Sequence, residues 1–360
     1  VSPLEELIRA EIRARGPMSF ERFMDLALYT PELGYYAKTP PIGRTGDFYT
    51  SVSVGPLFGR LLARQFFQMW RLLGEPDAFS ILEQGAHDGQ LARDILEWCR
   101  AEAPEFAARL RYAVVDSPPV AGTVGLTLRQ LIAEQPTGVY FSNELFDADS
   151  VRVITYRQGA WQERCVVVEG EQFAWTDRPI IDEALNQAIA ERDLLGIEGY
   201  TTEISLRGFP RMHAVARGMG RGYVLTIDYG FPAAHYYAPH RASGTLRAYA
   251  RHQLVDDVLR APGTQDLTAH VDFTALARAG ERGGLITLGF VDQHHFLMGI
   301  AHDELAGAGG PVAGVAAQPR AFQTLIHPEH LGTRFFALVQ AKDTPGGLDG
   351  LRFARATDLP

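Results

Sequence analysis

Four short apolar runs constrain this chain most, because each is long enough to be a buried strand and each ends near a polar or acidic residue. They are Phe79-Ser80-Ile81-Leu82-Glu83, Arg111-Tyr112-Ala113-Val114-Val115-Asp116, Gly138-Val139-Tyr140-Phe141-Ser142-Asn143-Glu144 and Gly222-Tyr223-Val224-Leu225-Thr226-Ile227-Asp228-Tyr229-Gly230. A helical pattern from Leu91 to Arg100 separates the first two. Apolar strands alternating with helices predict an α/β fold, a parallel sheet doubly wound with helices on both faces. Ligands of such sheets bind outside the carboxyl ends of the strands, where these polar tips fall. The 360 residues suffice for one large α/β domain with additions.

The remaining patterns place those additions. Residues 4 to 15 read as an amphipathic helix ending at Gly16-Pro17, and a second helix starts after Ser19, a residue suited to an N-cap. Pro56 to Leu73 is helical again. From Val151 to Trp175 the pattern alternates and is rich in Val, Tyr and Trp, which predicts hairpins in the same sheet or beside it. Ile180 to Leu195 reads as a helix, Leu285–Val291 and Phe335–Gln340 as the last strands, and the Gly- and Ala-rich segment Ala306–Pro319 as a mobile loop. The division expected is a helical cap at 1–75, a main domain at 76–345 with an insertion around 151–200, and a tail at 346–360.

Composition removes several function classes. Net charge is -9 with no basic tract, so the phosphate neutralisation that drives general nucleic-acid binding is missing, and no nucleic-acid partner is expected. Two cysteines, Cys99 and Cys165, cannot build a disulfide framework or a Cys-rich zinc site. No apolar run is long enough to cross a bilayer, and the first residues lack signal- or transit-peptide features, so a cytoplasmic protein with no membrane partner is expected. No metal is expected either. His294 and His295 are adjacent and would face opposite ways on a strand, while His87, His252 and His270 have no carboxylate or Cys partner at ligand spacing.

The chemistry concentrates at three strand tips. Glu83-x-Gly85-x-x-x-Gly89 joins a strand to a helix, where glycines let the backbone turn sharply and approach a ligand. Asp116 ends the second strand, where an acid accepts hydrogen bonds from two ribose hydroxyls, or else caps the next helix. A dinucleotide site needs a glycine where His87 stands, and Glu83 would repel a pyrophosphate but suits the ammonium of a methionine moiety. The pattern therefore favours S-adenosylmethionine, with S-adenosylhomocysteine as product. Asn143, Glu144 and Asp147 follow the third strand, as helix caps or as groups that hold a cation or accept a proton. Asp228 and Tyr229 are lesser candidates.

Motifs along almost the whole chain carry a resemblance. They include Gly16-Pro17-Met18-Ser19-Phe20, Pro31-Glu32-x-Gly34-Tyr35-Tyr36, Gly46-Asp47-Phe48-x-Thr50-Ser51, Phe58-Gly59 and Ser142-Asn143-Glu144-x-Phe146-Asp147-Ala148. Asp228-Tyr229-Gly230, Gly244-Thr245-Leu246-Arg247 and Pro262-Gly263-x-x-Asp266-Leu267-Thr268 continue the series. The chain resembles the MidA family, bacterial and mitochondrial relatives of the complex I assembly-factor methyltransferase. That resemblance implies a Rossmann-like class I methyltransferase sheet, seven-stranded with its last strand antiparallel, under an N-terminal helical cap. It implies a cofactor site of Glu83, Gly85, Ala86, His87, Gly89, Asp116 and Ser117, a transfer site of Asn143 and Glu144, and closure by Gly46, Asp47 and Thr50. Glu144, Asp147 and Asp47 are the carboxylates it offers to catalysis. Where the family usually reads Gly-Pro-Gly-Arg-Gly-Thr, this chain has Gly85-Ala86-His87-Asp88-Gly89-Gln90.

The function expected is methyl transfer to a nitrogen or oxygen nucleophile. The acceptor is a protein arginine, by family precedent, or a small molecule. A homodimer is left open. A dinucleotide-dependent oxidoreductase and a catalytically silent assembly factor are the competing classes.

Overall fold

The computed structural model describes residues 1–38, 50–116, 119, 121–250, 253–308, 311–355 and 359. The chain forms two compact units. The first comprises Val1–Tyr49, Asp147–Gly208 and Ala233–His270, and the second Thr50–Phe146, Phe209–Pro232 and Val271–Pro360. Residues 1–49 and the expected insertion thus share a unit, while the helix Leu57–Leu72, drawn from sequence as part of the cap, belongs to the other.

The second unit is built on seven strands: β1 (Phe79–Gln84), β2 (Leu110–Val115), β3 (Val124–Leu126), β4 (Thr137–Asn143), β5 (Arg221–Phe231), β6 (Ile286–Asp292) and β7 (Phe335–Lys342). Their spatial order is β6-β7-β5-β4-β1-β2-β3. From β3 to β5 every pairing is parallel, and β7 runs antiparallel between β5 and β6. A two-residue strand, Val271–Asp272, extends the end of β5 as an eighth member. This is the class I methyltransferase sheet, with the last strand in chain order antiparallel as expected. The chain winds outward from β1 to β3, returns, and winds the other way from β4, so the switch point lies between β1 and β4.

Alternation along the strands explains the two layers of core. Ile81, Phe141, Leu225 and Val339 pack on one face with the helices Leu57–Leu72, Gln90–Glu102 and Gln293–Leu305. Leu82, Tyr140, Val224 and Leu338 pack on the other with Leu131, Met212, Leu276 and neighbours. Gly59 lets two helices of the first layer meet closely, since a Cβ there would lie 2.6 Å from the Cβ of Asp94.

In the first unit the alternating region forms a sheet of its own rather than joining the parallel one. Val151–Arg157, Ala160–Glu169, Gln172–Pro179 and Thr201–Ser205 pair antiparallel, with Met18–Ser19 on Ala160–Glu169. The helices Pro3–Arg15 and Phe20–Tyr29 bury Ile8, Phe20 and Phe23 against Val151, Val153 and Val166. The second starts on the predicted Ser19 cap, and the first starts at Pro3 on a Ser2 cap.

Three local expectations are corrected. The helix predicted over 180–195 spans only Glu183–Ala190, starting at an Asp182 cap. His294 and His295 lie on the helix Gln293–Leu305, not on a strand, because the Asp292 side chain caps it by accepting from the His295 N–H. The described part of 306–319, expected to be mobile, is pinned: Glu304 accepts the N–H groups of Ala313 and Val315, and the Trp98 indole donates to the Val312 carbonyl.

Candidate functional site

The carboxyl edge of the sheet gathers the predicted tips. All six residues of β1 are buried, and the chain then turns through Gly85 (φ 83°), His87 (φ 45°) and Gly89 (φ 73°). The Gly89 N–H closes the turn onto the Ala86 carbonyl at 2.7 Å, and Asp88 accepts the Gln90 N–H that opens the following helix. A Cβ on Gly85 would lie 3.3 Å from the Leu145 side chain, so the segment after β4 rests against this turn.

Two more non-glycine residues take the same left-handed backbone at neighbouring tips: Asp116 (φ 52°) after β2 and Glu144 (φ 53°) after β4. Each such residue costs roughly 1–2 kcal/mol, and strain of this kind collects where a site demands it. His87, Asp116 and Glu144 follow three adjacent strands at the switch point, where open parallel sheets bind ligands.

Each tip is held from below. Glu83 is 3% exposed, and its Oε2 accepts the Tyr112 hydroxyl at 2.7 Å. Burial pushes the Glu83 carboxyl up to about 7, against the lowering effect of the tyrosine bond and with a small further push from Asp88. The Asp116 carboxylate accepts the Leu128 N–H at 3.0 Å and the Gln84 amide at 3.3 Å, while the helix Leu128–Glu134 is capped by Thr127. The Gln84 carbonyl in turn accepts the Tyr140 hydroxyl at 2.5 Å. The Asn143 amide donates to Glu144 at 3.0 Å, and no helix follows Asn143 for it to cap.

Asp228 acts as an anchor. It is fully buried, and its carboxylate accepts the N–H groups of Leu145, Phe146 and Tyr229 at 3.0, 2.8 and 2.8 Å. It thereby fixes the segment that begins at Glu144. Three bonds to this buried carboxylate at roughly 1 kcal/mol each give an expected loss of about 3 kcal/mol in urea unfolding for Asp228→Ala. Asp228→Asn, which keeps one acceptor, should lose less, and an unchanged midpoint for the alanine variant would remove Asp228 as the anchor.

Asp147 and Thr50 are held by other contacts. Asp147 is a buried residue of the first unit, where its carbonyl accepts the Ala269 N–H. Thr50 is buried, and its hydroxyl and backbone bond Ser53 in a local turn. Gly46, Asp47, Ser117 and His252 lie outside the described residues. Among the described residues, no three His, Cys, Asp or Glu side chains are grouped to hold a metal ion, and no helix is long and apolar enough to cross a membrane. Cys99 and Cys165 are buried, and burial pushes their thiols up to about 12 and about 11.

Sequence reasoning missed Gln84, Tyr112 and Tyr140. A signal existed, since a tyrosine inside a buried apolar strand must find a partner for its hydroxyl.

The fold and the cradle at its carboxyl edge define a class I methyltransferase. The family of S-adenosyl-L-methionine-dependent methyltransferases matches residues 61–291. A crystal structure from Burkholderia thailandensis bound to S-adenosyl-homocysteine is 30% identical, has a TM-score of 0.83, and covers 98% of this chain and 95% of that one. The mitochondrial protein arginine methyltransferase NDUFAF7 homolog of Drosophila melanogaster is 28% identical over 92% of this chain and 83% of its own length. Human NDUFAF7 is 26% identical over 96% and 86%. The chain belongs to this family, the MidA-like methyltransferases that use S-adenosylmethionine.

Proposed function

We propose that this methyltransferase modifies an arginine side chain of a protein, with the donor held at the β1, β2 and β4 tips. On this reading Glu83 meets the ammonium of the methionine moiety, Gly85, Ala86, His87 and Gly89 lie along it, and Asp116 takes the ribose hydroxyls. The observation that carries the reading is the row of left-handed residues His87, Asp116 and Glu144 at adjacent strand tips. Gly85 adds to the fit, because a side chain there would crowd the space beside Leu145.

Bound S-adenosylmethionine supplies an electrophilic sulfonium methyl. The chain's part is to orient donor and acceptor and to exclude water. A guanidinium stays protonated far above neutrality, so an arginine acceptor needs a carboxylate to hold and polarise it. Glu144 is suited to this, oriented by the Asn143 amide and fixed through the Asp228-anchored segment. The relatives named as protein arginine methyltransferases support that acceptor.

The test is transfer of labelled methyl groups from S-adenosylmethionine into lysate from cells lacking the protein. Label should appear in protein and, after acid hydrolysis, in methylarginine. Label confined to small molecules would overturn the acceptor assignment. Glu144→Gln should lower kcat by about a hundredfold or more while changing donor affinity little.

A further inference from the structure

Glu83 and Gln84 are consecutive, so their side chains leave β1 on opposite faces of the sheet. Each meets a tyrosine hydroxyl from an adjacent strand: Tyr112 of β2 bonds Glu83, and Tyr140 of β4 bonds Gln84. The first bond ends on Glu83. The second continues, because Gln84 passes it on to Asp116.

We propose that Tyr140 and Gln84 form a positioning relay that orients the Asp116 carboxylate toward the ribose of the methyl donor. The proposal rests on the reading of Asp116 as the ribose acceptor. The direction of the relay follows from donor and acceptor chemistry. An ionised carboxylate only accepts, so Gln84 must turn its NH2 toward Asp116. Its carbonyl then faces β4, where the Tyr140 hydroxyl, completely buried, is the donor. A flipped amide would set its oxygen against the carboxylate.

The relay also leaves the carboxylate in a useful state. A carboxylate has about four acceptor positions on its two oxygens. Among the described residues, the Leu128 N–H takes one on Oδ1 and Gln84 takes one on Oδ2. One position per oxygen remains, which matches two neighbouring hydroxyls. Asp116 is an exposed residue at the strand tip, so these two donors set the orientation of its carboxylate.

The relay can be separated from simple packing by the ligand it serves. Tyr140→Phe keeps the ring in the core, and Gln84→Met keeps the side-chain length. Affinities are measured by calorimetry for S-adenosylhomocysteine and for its 2′,3′-dideoxy analogue, which lacks both ribose hydroxyls. Each variant should weaken S-adenosylhomocysteine by about five- to tenfold and leave the analogue within about twofold. An equal loss for both ligands, or no loss for the first, overturns the relay. Asp116→Ala keeps the two ideas apart. If it weakens S-adenosylhomocysteine while both relay variants do not, only the relay falls. If it has no effect, the ribose reading falls and the relay with it. Should Tyr140→Phe fail to fold, Gln84→Met alone decides on the same two readings.

Discussion

Replacing Asp116 with alanine is expected to weaken S-adenosylhomocysteine binding by about a hundredfold to ten-thousandfold. Two hydrogen bonds from ribose hydroxyls to a charged acceptor contribute about 1.5–3 kcal/mol each, and every 1.4 kcal/mol is about tenfold in affinity. The same substitution also removes the acceptor of the Leu128 N–H, so the apo protein should lose roughly 1 kcal/mol with that hydrogen bond. The two effects separate cleanly. Calorimetric affinity reports the ribose contacts, and the melting temperature without ligand reports the Leu128 bond. A normal affinity in a slightly destabilised protein would mean that Asp116 holds the Leu128 N–H and nothing more.

The second large effect is a pH dependence carried by Glu83. Its carboxyl is pushed up to about 7 by burial. The folded value lies above the unfolded one, so between them the folded chain holds a proton that the unfolded chain has released. Stability from this group is therefore fully present below the unfolded value and is lost as pH rises to about 7, at a total of about 3 kcal/mol by linkage. Donor binding runs the other way, because the ammonium needs the ionised form. Affinity for S-adenosylhomocysteine should rise by about tenfold from about pH 6 to about pH 8. Glu83→Gln should remove that slope and bind weakly throughout, whereas Asp116→Ala should bind weakly with the slope intact. A slope that survives in Glu83→Gln would assign it to another group.

Much of the sheet was legible because its strands are buried on both sides and so read as apolar runs. The tips were legible for the same reason, since Glu83, Asp116 and Glu144 put a charge at the end of each run. Gln84, Tyr112 and Tyr140 were not, because their roles depend on which strands are neighbours. Glu83 meets Tyr112 across 29 residues and Gln84 meets Tyr140 across 56, through pairings such as Gln84 with Ser142. Asp228 was seen as a tip, but its use by Leu145 and Phe146 lies 83 and 82 residues away. The His294-His295 pair was weighed as if it lay on a strand, whereas the Asp292 cap starts a helix there. The alternating region was identified as hairpins, yet alternation alone says nothing about which sheet a strand joins.

The place of β7 has a consequence for how the sheet assembles. Residues Phe335–Lys342 come after every other strand in chain order, yet they occupy an interior position, bonded to β5 on one side and β6 on the other. Until they arrive, β5 presents a bare edge of unpaired N–H and C=O groups, and β6 has no hydrogen-bonded neighbour in the sheet. The sheet therefore stays open along its middle until β7 inserts. That interval is when it is most exposed to wrong strand pairing.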